Sequence, residues 1–318
     1  MSTCEHNTTF KGVNNISEDL LLNILEANFK MYFDWAFLNI GSWFDVSTNQ
    51  NTIYGVNQHA KLLPVEDPSY QDGRVWQGIR KDWVWETGIN YQSTSPISNI
   101  NSIKINNSTI SKNNNFIVNY PLGRIILNTA VSKTSIVNAE YSYRFVQVHR
   151  SSENNWFNIL QFSSFNTSNK DIKQTDTGEW SIGANHRVQL PCIIIEPLSR
   201  SRSRPYEIGN ALLWLEQDIA FYVLAENKND RNKLLDILRL QQDITLQLFD
   251  TNQIAQNEAF PLDYNGDIKN NSLMYPDLVT NYPWRKCLIK NISLFEIDSP
   301  HPNFHQGMAR ATLEIIST

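Results

Sequence analysis

Six histidines, three cysteines and scattered carboxylates are the raw material for chemistry in this chain, and none falls into a spacing that catalysis or metal binding requires. His301 and His305 are four apart, a separation that puts two imidazoles on one zinc ion when both stand on a helix. Pro300 and Pro302 flank the first, and proline breaks a helix interior, so the pair is expected on a loop. Cys4, Cys192 and Cys287 are odd in number, far apart and in no Cys-x-x-Cys pairing, as in a chain made in a reducing cytosol without a disulfide framework. Asp82 and Glu86 sit among tryptophans, and two carboxylates facing across an aromatic cleft would suit glycoside hydrolysis. Solvated acids beside packed rings give the same pattern, and the chain is read as a non-enzyme. The run Asp263-Tyr264-Asn265-Gly266-Asp267 starts like a calcium loop but lacks the remaining ligand ladder and the terminal glutamate, so it is read as an ordinary turn. With no Gly-x-Ser-x-Gly, Walker loop or dinucleotide fingerprint present, no catalytic residue, metal ligand or cofactor is assigned.

Binding chemistry is better represented. Arg200, Arg202 and Arg204 alternate with serine in the stretch Ser199–Pro205, which is expected to be a loop. Guanidinium forks pair with phosphate or carboxylate groups, so these arginines are candidates for a phosphate-facing or subunit-contact loop, beside the plainer reading of a solvated loop. Trp43, Trp76, Trp83 and Trp85 are spaced by Gly and Pro through residues 41–90 and form a candidate aromatic contact surface. An exposed groove of such rings would stack on sugar. A subunit of an assembly would instead bury them in its core or against a neighbour.

The elements that must position these residues read as α+β and β-rich: a mixed or antiparallel sheet with an N-terminal helix, a second helix after a long strand, and a β-rich inserted region. Residues 1–16 form a polar arm. Ser17 offers an N-cap, and Glu18 and Asp19 suit the first turn of a helix running from about Glu18 to Ile40 with Gly41 as its stop. Leu21, Leu25, Phe29, Tyr32 and Ala36 make one stripe, while Leu22, Phe33 and Phe37 lie off it, so the helix is buried on more than one side. Residues 41–187 are the aromatic- and β-rich inserted region. Within it Asn106–Asn115 reads as a turn or loop tip, and residues 151–187 as mostly loop. The alternation Val137, Ala139, Tyr141, Tyr143, Phe145 has period two, and its phase flips at Val146 and Val148, predicting a bulge or a change of partner near Phe145. Residues 188–318 form an α+β core: a buried strand Val188–Glu196, a long strand Leu212–Ala225, a helix from about Asp230 to Gln242, a strand Thr245–Phe249, a loop over 250–284, and closing strands Lys286–Ile297 and Gln306–Ile316.

Composition narrows the classes. Of the 318 residues, 41% are hydrophobic and 19% charged, enough apolar surface for a core and too little charge for a disordered chain. The net charge of −5 argues against a freestanding nucleic-acid binder. Leu20–Ile40 is apolar, but Glu26, Lys30 and Asp34 interrupt it, so no membrane span is expected. The start MSTCEHNTTF has no charged region followed by an apolar one, and no signal peptide is expected.

Five stretches carry a family resemblance: DWVWETGINY (82–91), NYPLGRIILNTAVS (119–132), AEYSYRFVQVHR (139–150), ANHRVQLPCIIIE (184–196) and FPLDYNG (260–266). In them the chain resembles virion structural proteins of tailed bacteriophages, of the cyanophage and marine-phage type. The resemblance implies a structural protein made in the host bacterial cytoplasm and residing in the virion, with neck or tail-terminator-like, head–tail connector character. Tail terminators combine an N-terminal helix, a mixed sheet and a second helix, and form hexameric rings. A homo-oligomer, favoured as a hexameric ring, is therefore expected, with other phage neck and tail proteins as partners, passive contact with DNA in a channel, and no membrane. The alternatives are a tail or baseplate component, or a carbohydrate- or receptor-binding virion module.

Overall fold

The structure, a computed structural model, describes residues 13–47, 60–164, 172–175, 179–183, 186–205 and 213–317. Residues 1–12 of the expected polar arm lie outside that set. The chain is α+β and strand-rich. Helix α1, Leu21–Asn39, is followed by short strands β1 (Trp43–Val46), β2 (Leu63–Pro64), β3 (Val75–Gln77), β4 (Ser102–Ile105), β5 (Ser108–Ser111), β6 (Phe116–Asn119), β7 (Arg124–Leu127), β8 (Val137–Asn138) and β9 (Tyr141–Arg144). Strand β10 (Gln147–Arg150), helix α2 (Asn155–Ser164) and strands β11 (Ile172–Gln174), β12 (Trp180–Ile182) and β13 (His186–Val188) lead to the long strands β14 (Cys192–Pro205) and β15 (Leu213–Ala225). Helix α3 (Lys228–Arg239), strand β16 (Thr245–Phe249), helices α4 (Thr251–Gln256) and α5 (Tyr275–Asn281), and strands β17 (Pro283–His301) and β18 (Phe304–Ser317) complete the chain.

The main sheet has the order β10-β14-β15-β18-β17-β16, with β10 parallel to β14 and every other pair antiparallel. Alternation along its strands sorts residues onto two faces. One face presents Ile193, Ile219, Phe221, Val223, Ala311, Leu313 and Ile289 to α1 and α3, forming the larger core. On the other face Cys192, Ile194, Leu224 and Phe304 pack with Trp156, Phe157 and Leu160 of α2 and with Trp180 and Ile182 of the small β11–β13 sheet. A separate core fills the β2–β8 region around Trp76, Trp83, Trp85, Phe116 and Tyr120. Helix α1 joins the two. Leu25, Phe29, Phe33 and Phe37, spaced by four, face the main sheet, whereas Met31 enters the aromatic core. The helix is thus buried on more than one side within a single chain.

Several expectations need correction. Helix α1 begins at Leu21 without a side-chain cap, three residues after the expected start. The backbone of Asp19 is held instead by Asn252, whose side chain accepts from Asp19 N at 2.8 Å and donates to Asp19 O at 2.9 Å, while the Ser17 hydroxyl turns to Asn15. Gly41, at φ +79, stops the helix as expected. Asn106–Asn115 is only partly loop: Asn106 and Asn107 take positive φ and close a two-residue hairpin turn between β4 and β5. Residues 151–187 contain α2, and 250–284 contain α4 and α5, helices too short to show periodicity reliably. The phase flip near Phe145 is a change of partner: β9 pairs with β1, and β10 joins the main sheet beside β14.

Ser199–Pro205 is strand, not loop. The Ser–Arg alternation is itself a period-two pattern. Ser201 and Ser203 stand opposite Gln217 and Leu215, and Arg202 and Arg204 opposite Glu216 and Trp214. No apolar residue marks a buried face there, so the pattern resembled a solvated loop.

Candidate functional site

The arginine strip lies on the face of the main sheet that α2 and the small sheet cover only at the other end. Arg202 and Arg204 are exposed at the distal end of β14, and the Arg204 guanidinium sits 4.9 Å from the ring centroid of Trp214. Arg200 is 3.6 Å from Asp218, which is buried and also accepts from Arg310 Nε at 3.1 Å and from the Thr312 hydroxyl at 2.9 Å. Lys290 pairs with Glu314 and, at 3.5 Å, with Glu216. A charged ladder therefore runs across β14, β15, β18 and β17, with cations outnumbering carboxylates, on a chain whose net charge is −5.

The four tryptophans proposed as a contact surface do not form one. Trp76, Trp83 and Trp85 are buried in the aromatic core. Their polar edges are satisfied internally where they need to be: Trp76 Nε1 donates to Gly73 O at 3.0 Å, and Trp83 Nε1 to Arg80 O at 2.9 Å. Trp83 stacks on Tyr141 with centroids 4.0 Å apart. Trp43 is half-buried and packs edge-on to Tyr91. Only burial distinguishes core rings from a sugar platform, and sequence spacing carries no burial.

Asp82 and Glu86 do come together, around Arg144. Glu86 accepts from Arg144 Nη2 with both oxygens, at 2.7 and 2.6 Å, and Arg144 Nε lies 3.3 Å from Asp82 Oδ1. Burial works against the Arg144 charge, but Glu86, Asp34 and Asp82 outweigh it and hold the guanidinium above the usual arginine value. Burial raises both carboxyls, and Arg144 pulls them back. Both carboxylates are paired with one internal guanidinium. The segment bearing Asp82 is laid on the Tyr120–Gly123 turn: Asp82 N donates to Pro121 O at 3.1 Å and Trp83 N to Tyr120 O at 2.9 Å. Gly123 has φ +62, and a Cβ there would meet Arg80 O at 2.5 Å, so the close approach requires glycine.

The remaining candidates are structural. His301 closes the β17–β18 hairpin with its ring edge-on to Trp180, and His305 lies on β18, so neither is on a helix. The Asp263 carboxylate accepts from Asn265 N and Asp267 N, and Asp267 accepts from Lys112 Nζ at 2.6 Å and Val118 N at 3.1 Å, which pins the turn to β6. Burial pushes the Cys287 thiol up to about 12 and raises that of Cys192 as well, so both are inert core residues. Among the described residues no three His, Cys, Asp or Glu side chains gather as a metal site would require, and no helix is long and apolar enough to cross a membrane.

Comparison with protein-family models, with curated proteins and with solved structures found no match to this chain.

Proposed function

We propose that this chain is a structural subunit of a tailed-bacteriophage particle, a neck or tail-terminator-like ring component at the head–tail junction, in which the open face of the main sheet receives a neighbouring copy. The observation that carries the reading is that face. Half of it is covered by α2 and the β11–β13 sheet, and the other half displays Arg200, Arg202, Arg204, Lys290 and Arg310 around half-buried Trp214. A surface richer in cations than carboxylates, on a chain of net charge −5, is complementary to much of another copy's surface. Closed rings use heterologous interfaces, so a second, different patch is needed. Phe44 and Phe145, ring centroids 5.5 Å apart, together with Ile40 supply an exposed apolar one at the C-terminal end of α1. The order of α1, mixed sheet and α3 is in keeping with the tail-terminator resemblance. The sugar-binding alternative loses its main support with three of its four tryptophans in the core.

Native mass spectrometry and light scattering of the full chain test the reading. Wild type is expected to form a closed oligomer, favoured as a hexamer, and the double variant Arg202→Glu/Arg204→Glu to shift to monomer while keeping its melting temperature. An oligomer indifferent to the double reversal would remove this face from the interface.

A further inference from the structure

Two cavities meet between the aromatic β-rich region and the main sheet. One, of about 460 Å³, is walled by Lys81, Gln147, His149, Arg150, His186 and Arg187. The other, of about 440 Å³, is lined mainly by Met31, Trp85, Phe249, Ile254, Leu262 and Leu278. They share Lys30, Asp82, Pro121, Arg150 and Glu153, which form a charged waist between a polar chamber and an apolar one. Each volume is within the range of small-molecule sites, and a mostly apolar wall with a few convergent polar groups is how such sites are built.

The charges of the polar chamber can be accounted for pair by pair. Lys30 is held by Asp34 at 2.8 Å, Arg150 by Glu153 at 2.9 Å, and Arg187 lies 3.7 Å from Glu179. Asp82 belongs to Arg144. Lys81 has no carboxylate within ion-pair distance among the described residues. It is nevertheless half-buried, and burial lowers its pKa; the Glu179 carboxylate, beyond ion-pair distance, offsets part of this, while Arg124 and Arg187 add to the unfavourable positive field. Its position is fixed by a backbone bond from Lys81 N to Gln189 Oε1 at 3.1 Å, the same oxygen that accepts from Gln147 Nε2 at 2.7 Å. Asp82, the next residue, holds φ +54, an uncommon conformation for a non-glycine residue, and such conformations concentrate at ligand sites. A half-buried cation outside ion-pair reach of the carboxylates around it, held in a concave chamber beside Arg150 and Arg187, gives that chamber the chemistry to receive an anion. His149 completes the wall: burial, reinforced by Lys30, pushes it down to about 4, so at neutral pH it is an uncharged imidazole beside Trp156.

We propose that this paired cavity binds an amphipathic anion, with the carboxylate or phosphate group on Lys81 in the polar chamber and the hydrocarbon part in the chamber beside Trp85 and Met31. The inference is independent of the assembly reading, since the cavity lies inside one chain and away from the arginine strip. Trp85 and Trp156 line the two chambers and report occupancy by their fluorescence. The full chain is titrated with octanoate, octyl phosphate, 1-octanol and inorganic phosphate. Saturable binding of at least one of the two amphipathic anions is expected, at least tenfold tighter than 1-octanol or inorganic phosphate alone. Lys81→Met should lower that affinity at least tenfold and Lys81→Arg should retain most of it. The proposal is overturned if neither octanoate nor octyl phosphate saturates the wild-type chain. It is overturned equally if 1-octanol binds as tightly as they do, or if a folded Lys81→Met variant binds them unchanged. Inorganic phosphate binding as tightly as octyl phosphate would remove the apolar chamber from the site.

Discussion

Arg144 shows how much of this molecule's polar interior is structural. Its guanidinium is buried between Glu86 and Asp82, and removing one partner of such a pair strands the other charge in a poorly solvated interior. Arg144→Met is therefore expected to lose about 3–5 kcal/mol in denaturant unfolding, and Arg144→Met/Glu86→Gln to recover part of the loss. His149 sets a second test. Its pKa is about 4 when folded against 6.5 in a free chain, so between those values the unfolded state binds more protons and stability rises with pH. The stabilisation is present above about pH 6.5 and is lost as pH falls through the folded value. His149→Gln should flatten the slope of unfolding free energy against pH in that window; an unchanged slope would contradict the neutral, half-buried imidazole. Asp82 and Glu86 were legible in the sequence as a pair of carboxylates near tryptophan. Arg144, their partner, was not, because it lies 58 residues beyond Glu86 and is brought to them by backbone bonds between residues 82–84 and β9, Arg144 N to Asp82 O at 3.2 Å and Val84 N to Ser142 O at 2.8 Å. Lys81 was equally illegible, since its half-burial in the wall of a cavity, beyond ion-pair distance of Glu179, is a property of the fold.

At the scale of elements, α1 is the piece on which the two cores depend. Phe29 and Phe33 clamp Phe221 of β15 at centroid distances of 5.4 and 5.2 Å, while Asn28 both donates to Phe249 O and accepts from Phe249 N at the end of β16. Phe33→Ala removes a fully packed ring and is expected to cost about 3–5 kcal/mol, read as a lowered midpoint in urea. A loss under about 1 kcal/mol would mean that α1 does not carry the sheet. The apolar content of this helix and the alternation along the last strand were readable from their patterns, and the long strand ending at Ala225 from the helix-start signal at Asn229 and Asp230 that follows it. So was a break in pairing near Phe145, expected as a bulge or a change of partner and found as the latter. The distal half of β14 was not, since arginine and serine alternate there without an apolar residue and its strand character comes from β15 alongside it. Short helices α2, α4 and α5 were missed because one to three turns give too few periods to count.

The whole molecule is organised around that sheet. Two long antiparallel hairpins, β14–β15 and β17–β18, place four strands side by side, and helices with a small sheet cover much of their surface. The arginines stand on a stretch that none of the described helices covers. Trp76, Trp83 and Trp85 fill the second core instead of lining a groove for sugar, and the proposed assembly uses the charged sheet face and the Phe44–Phe145 patch. The account is tested most directly by electron microscopy of tailed-phage particles assembled with a labelled form of this chain. It predicts several copies arranged as a closed ring, favoured as six, between head and tail, with Arg202 and Arg204 at the contact between neighbours. Label on peripheral spikes, or single copies whose arginine face meets only solvent, would contradict it.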